Sequence, residues 1–216
     1  MDIGTGTGTV ARGLAGLGLD VTAIDPSLPL MREAAELDRE AGVRVEYRDG
    51  RAENLPFRDG TFDLVSAGQC WHWFDRSAAA AQCLRVLKPD GVAVIAHFDW
   101  LALPGNVVSA TEGLILEANP AWTLAGGTGI YPLWPGDMAA AGFTELETAS
   151  FDVAQAYSHA AWCGRVKASA GIKASLDDAQ ADLFADRLAA LLLADFPEDP
   201  LAVPHRVWWV SGRKPG

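Results

Sequence analysis

Strand-like and helix-like stretches alternate through the first hundred residues. This predicts an α/β chain built on a mostly parallel sheet with crossover helices on both faces. Two further observations agree. The centres of "FDLVSAG", from Phe62, and "GVAVIAHFDW", from Gly91, are nearly continuously apolar, as strands buried on both faces are. The opening stretch "MDIGTGTGTVARGL" sets glycines at positions 4, 6 and 8 between a strand end and a run with helical spacing.

Each element follows from its own pattern. Met1 to Ile3 read as the end of a first strand, and Thr9 to Leu17 as the helix after it. Asp20 to Ile24 is a short β-branched strand, followed by a helix over about 28–40. "VRVEYRD" from Val43 alternates like a strand. Arg76 to Leu87 is Ala-rich and helical, stopped by Pro89 and Gly91. In the second half, Asn106 to Ala118 reads as a helix and "NPAWTLAGGTGIYPLWPG" as a long loop. Met138 to Ala141 reads as a short helix ended by Gly142, and "FTELETASFDV" as a strand. Helices over about 160–170 and 176–196 follow, and "HRVWWVSGRK" reads as a last strand at an edge of the sheet. No repeat or linker divides the chain, so 1–216 reads as one domain, with a cofactor half over 1–98 and an acceptor half over 99–216.

Composition narrows the partners. A net charge of −11 argues against a broad nucleic-acid surface, which needs clustered Lys and Arg. A small molecule is the expected partner. No apolar run approaches the ~20 residues that cross a bilayer, and no secretory flank opens the chain, so the expected address is cytoplasmic. Cys70, Cys83 and Cys163 lack metal-ligand spacing, and His72, His97, His159 and His205 are scattered. No metal site is expected.

Glycines between a strand and a helix let backbone turn tightly and approach a ligand, while the helix start offers free N–H groups. Asp25, ending the next strand in "VTAIDPS", can accept hydrogen bonds from ribose hydroxyls. It can equally cap the helix that starts after Pro26.

With "MDIGTGTG" and "VTAIDPS", the stretches "GRAENLPFRDGTFDLV" from Gly50 and "RVLKPDG" from Arg85 resemble the class I S-adenosylmethionine-dependent methyltransferases, in the small-molecule branch often called type 11. The resemblance covers about residues 1–98. "AGQCWHWFD", from Ala67 to Asp75, is similar to a subgroup with a His-Trp-Phe signature after the fourth strand. It implies a Rossmann-like methyltransferase fold with a seven-stranded sheet and S-adenosyl-L-methionine as cofactor.

By that resemblance Asp2 steadies the loop, and Gly4, Thr5, Gly6 and Gly8 pass beneath the methionine moiety. Asp25 binds the ribose, Pro26 and Ser27 flank the adenine, and Arg51, Ala52 and Glu53 close over it from the other side. Many relatives carry an Asp where this chain has Arg51, which cannot accept from the adenine amine. Recognition through the Ala52 backbone and stacking is expected instead, with Glu53 as an alternative acceptor. Gln69 falls where relatives contact the methionine end. His72 is either a base for the acceptor's proton or a wall of the pocket. Trp73, Trp134, Tyr157, His159, Trp162 and Arg165 are candidates for the acceptor pocket. The alternative for the Trp residues is a place in the core.

Relatives carry an N-terminal helical segment and a full first strand before the glycine loop. The expectation is therefore a truncated or mis-assigned start and a first strand reduced to a stub. Two rival readings stand beside methyl transfer to a small molecule. One is a nicotinamide-dependent oxidoreductase, which the loop and Asp25 alone allow but which leaves "LPFRDGTFDLV" unexplained. The other is a degenerate fold with weak cofactor binding and no turnover.

Overall fold

The alternating pattern folds into one seven-stranded sheet in the computed structural model, which describes residues 1–216. The strands are β1 Asp2–Ile3, β2 Thr22–Asp25, β3 Glu46–Asp49, β4 Phe62–Gly68, β5 Leu87–Trp100, β6 Thr144–Tyr157 and β7 Leu201–Arg213. Their spatial order is β3-β2-β1-β4-β5-β7-β6. From β3 through β5 neighbouring strands run parallel. The helices are α1 Thr9–Gly16, α2 Leu28–Ala41, α3 Arg76–Val86, α4 Val107–Ala118, α5 Trp134–Ala141, α6 His159–Lys167 and α7 Asp178–Asp195. No helix is long and apolar enough to cross a membrane.

One strand differs from its expected place. β7 is not an edge strand: it lies between β5 and β6. Leu201, Val203, His205, Trp208, Val210 and Gly212 are buried along it, the alternation of a strand covered by neighbours. β6 takes the edge, and most of its side chains are exposed. Two helices and one strand also shift. α5 begins at Trp134, four residues before the expected start, because Pro135 in its first turn needs no partner for a missing N–H. β5 begins inside "LKPDG", where Lys88 bonds Asp63 at 2.8 Å and Asp90 adopts φ 63°. α7 starts behind an Asp177–Gln180 capping box, later than spacing alone predicts.

The chain forms two compact units: Met1–His97, Tyr131–Ala149 and Trp208–Gly216 in one, Phe98–Ile130 and Ser150–Val207 in the other. In the first, Ile3, Ile24, Val65 and Ile95 from the strands pack with Ala79, Ala80, Cys83 and Val86 of α3 and with Trp134 and Met138 of α5. The small side chains of α3 let its backbone lie close to its neighbours. Burying each of the large aliphatic side chains stabilises the fold by about 1.5–3 kcal/mol.

The second unit is built on α7, whose Phe184, Leu188 and Leu192 recur on one face and meet Val108, Ile115, Trp162 and Val166. The Trp162 indole donates to Thr111 Oγ1 at 3.0 Å, and the Thr111 hydroxyl donates to the Val107 carbonyl at 2.7 Å. Buried Glu112 accepts from Trp100 Nε1 at 2.8 Å and from the Gly126 N–H at 2.7 Å.

His205 is wholly buried in this unit. Phe98 stacks on it at 4.4 Å, its Nδ1 lies 3.0 Å from the Val203 carbonyl, and its Nε2 meets no partner. The carbonyl fixes the Nδ1–H tautomer. Desolvation pushes this imidazole below the ordinary histidine range, and nearby Arg165 adds to the shift against the opposing Val203 carbonyl and Asp99. The unfolded chain therefore takes the proton first. The stability His205 supplies is complete above about pH 6.5 and is lost as pH falls through the lower folded value. Thermal melts at pH 7.5 and 5 are expected to show that His205→Phe loses less stability than wild type as pH falls. Equal losses would rule this out.

Candidate functional site

β1 pairs with β2 on one side and with β4 on the other, so strand order reverses beside it. In parallel α/β sheets, ligands bind outside the carboxyl ends of strands at such a reversal. Four segments converge there: the glycine loop, the end of β2, the turn after β3 and the segment after β4.

The loop turns on three left-handed glycines, Gly4, Gly6 and Gly8, at φ 61°, 55° and 77°. The Thr5 N–H donates to the Ile24 carbonyl at 3.0 Å, and the Gly8 N–H to the Thr5 carbonyl at 2.8 Å. Asp2 is 1% exposed and accepts from Ser66 Oγ at 2.6 Å; burial pushes its carboxyl above the usual carboxylate range. Asp25, also buried, does two jobs at once. Its Oδ2 accepts the Gly6 N–H at 2.9 Å, and its Oδ1 accepts the Ser27 N–H at 2.8 Å just before α2. Ser27 makes no side-chain cap of its own.

A polar chain behind the loop escaped the sequence reading. The Arg12 guanidinium pairs with Asp38 at 3.0 Å and donates to the Thr7 carbonyl at 2.8 Å. The Tyr47 hydroxyl donates to Asp38 Oδ2 at 2.7 Å. Burial, with the Asp38 carboxylate alongside, raises the Tyr47 phenol above its usual value. A signal was present: Met31, Ala34 and Asp38 share the buried stripe of α2, so a carboxylate stands where the spacing demands an apolar side chain.

After β4, Gln69 takes a left-handed φ of 59°, and its N–H donates to the Ala96 carbonyl at 2.9 Å. The Cys70 thiol donates to the Ile3 carbonyl at 3.2 Å, and burial holds it well above the usual thiol range. It is a protonated packing group, not a nucleophile. Phe74 lies over Gly4, where a Cβ would come within 2.8 Å of its Cζ. The turn Trp71–Trp73 buries Trp71, whose indole donates to Asp137 at 3.1 Å, and leaves His72 and Trp73 exposed.

The turn after β3 is fixed from a distance. Arg85 donates to the Leu55 carbonyl at 2.8 Å, the Phe57 carbonyl at 2.7 Å and Asp59 at 2.8 Å. "RVLKPDG" thus holds "GRAENLPFRDG", which is a physical reason for the two stretches to occur together. Arg51 is exposed, Ala52 is buried, and Glu53 accepts the Asp75 N–H at 3.0 Å; Pro26 is exposed.

Of the six candidates for the acceptor pocket, Trp73 and Trp134 belong to the first unit. Trp134 is buried in the first unit, stacked on Tyr131 at 3.9 Å. Tyr157, His159, Trp162 and Arg165 belong to the second. Trp162 is fully buried in its core, and Tyr157 packs against it at 5.4 Å. His159 Nε2 lies 3.0 Å from both the Phe196 and Glu198 carbonyls. Arg165 is exposed and sits over the Trp100 ring at 5.4 Å.

The residues at the strand ends fit an adenosyl cofactor. Each Asp25 oxygen holds one backbone N–H and keeps a second lone pair, so the carboxylate can accept two hydroxyls more. A Cβ built on Gly6 would meet nothing within 4 Å, so the loop is open to a ligand there. Buried Thr5 Oγ1, close to Asp2, reaches no partner with hydrogen-bond geometry.

Residues 1–95 match the family model of the methyltransferase domain. An uncharacterized methyltransferase of Mycobacterium tuberculosis is 37% identical over 91 residues, 42% of this chain and 36% of that protein. An uncharacterized methyltransferase of Schizosaccharomyces pombe is 30% identical over 160 residues, 73% of this chain and 59% of that protein. The chain thus spans between about a third and three-fifths of the length of these relatives. Among solved structures, a putative type II methyltransferase from Anaeromyxobacter dehalogenans superposes with a TM-score of 0.66 over 99% of this chain and 88% of that one. At 23% identity that likeness is one of fold. Over residues 1–95 the chain thus matches the methyltransferase domain, and its sheet has the Rossmann-like fold of solved methyltransferases.

Proposed function

We propose that this chain transfers the methyl group of S-adenosylmethionine to a small-molecule acceptor. The observation that carries the proposal is the buried Asp25 carboxylate, tied to the glycine loop through Gly6 and to the start of α2 through Ser27. Its remaining lone pairs take the two ribose hydroxyls. Gly4, Thr5, Gly6, Gly8 and Gln69 would hold the methionine end, with Asp2 steadying the loop. Pro26 and the Arg51–Glu53 turn would hold the adenine. Glu53 already accepts the Asp75 N–H, so the adenine edge is read chiefly by the Ala52 backbone.

The cofactor, when bound, supplies a sulfonium methyl that is already activated. The chain then needs only to align the acceptor and exclude water, which can supply several kcal/mol. His72 takes the acceptor's proton where there is one to take, and Trp73 walls the acceptor.

Calorimetric titration with S-adenosylhomocysteine and, separately, with NAD tests the reading. Micromolar binding of the first and none of the second is the expected result. Preference for NAD would establish the oxidoreductase reading instead.

A further inference from the structure

The rim beside the glycine loop carries two imidazoles, and only one faces solvent. His72 is exposed on the turn after β4, while His97, one residue past Ala96 on β5, is 3% exposed. Their ring centroids are 5.4 Å apart with planes inclined at 60°. His97 is clamped from elsewhere: Tyr131 lies at 4.4 Å and Trp134 at 4.6 Å. Those two rings stack on each other, and Trp208 packs against both at 5.6 Å. His97 therefore cannot turn without repacking an aromatic array. His72 rests on this fixed ring and on Trp73 at 4.6 Å.

We infer that His97 is a positioning residue, which fixes the His72 ring so that His72 accepts the proton of a protic acceptor, a hydroxyl or an amine. The inference rests on the methyltransferase reading above. A lone pair on the acceptor oxygen or nitrogen forms the new bond to the methyl carbon. The S–CH3 bond breaks with its electron pair left on sulfur. The acceptor's proton passes to His72, which is open to solvent and releases it there. A carboxylate acceptor has no proton to lose and gives this pair nothing to do. Tyr131 is the titratable group that packs against His97, and Asp137 of α5 is taken up by Trp71 and Arg76.

Imidazole nitrogen NMR of the full chain tests this without knowledge of the acceptor. The probes are S-adenosylhomocysteine, uncharged at sulfur, and sinefungin, which carries an ammonium where the methyl group sits. A charge within ~4–6 Å shifts a titration, so the His72 midpoint is expected to be lower with sinefungin by about half a pH unit or more. His97→Leu is expected to reduce that difference at least about twofold while leaving S-adenosylhomocysteine affinity within about twofold, and His97→Phe to restore it. Tyr131→Leu, which loosens the clamp from the far side, is expected to act like His97→Leu should the latter fail to fold.

An unchanged difference in His97→Leu, or in Tyr131→Leu where that variant stands in, overturns the inference. So does the absence of any difference in wild type that binds both probes. If neither probe binds wild type, the cofactor reading falls and takes the inference with it.

Discussion

Asp25→Ala is expected to weaken S-adenosylhomocysteine binding by roughly 150-fold or more, since hydrogen bonds to a charged group contribute about 1.5–3 kcal/mol each and two ribose hydroxyls lose theirs. The same change removes the acceptor for the Gly6 and Ser27 N–H groups, so a fall in stability of about 2 kcal/mol is expected alongside. Asp25→Asn separates these effects. It keeps one acceptor oxygen near the loop but cannot serve both backbone donors and both hydroxyls. Calorimetry paired with thermal melts on the two variants decides the matter. Wild-type affinity in Asp25→Ala would remove the observation on which the proposed function stands.

Gly8→Ala is expected to cost more stability than any other single methyl added to the loop. The residue adopts φ 77°, a conformation an L side chain enters at a cost of about 1–2 kcal/mol. Its Cβ would also collide with the Tyr47 hydroxyl and approach Ala34 Cβ to 3.1 Å. Overpacking adds about 1–3 kcal/mol, giving a total near 2–5 kcal/mol. Tyr47 cannot retreat freely, because its hydroxyl is bonded to Asp38, which pairs with Arg12. Denaturant unfolding should therefore show a large drop in midpoint. Gly6→Ala meets open space at a φ of 55°, and its cost should be the backbone term alone. Equal losses in the two variants would mean that Tyr47 does not press on the loop.

These variants also show where the sequence speaks and where it is silent. The glycine rhythm, Asp25 and the alternation of strands and helices are local patterns with one physical meaning each, so the sheet from β3 to β5 and the loop between β1 and α1 could be read directly. The residues that hold this site from behind are joined over long separations. Arg85 reaches Leu55, thirty positions away, and Tyr47 meets Asp38 only once β3 and α2 are packed. No local pattern announces such pairs, although Asp38 on an apolar stripe came close. The place of β7 was lost for a related reason. Strand character is local, but a strand's neighbours depend on connections of a hundred residues. The aromatic side chains of the second half were ambiguous because one Trp can line a pocket or fill a core. Trp162, with its indole satisfied by Thr111, fills one.

The interior place of β7 has a consequence for how the chain is made. β6 joins the sheet only through β7, yet it is synthesised some forty residues earlier. A nascent chain that has completed β5 then waits for about 100 residues, roughly 5–20 s of translation, before the strand that covers its edge emerges. During that interval β5 carries an open row of N–H and C=O groups and β6 has nothing to pair with. Closure of this sheet therefore waits for β7, the last of its strands in chain order, and does not follow the order in which the strands are translated.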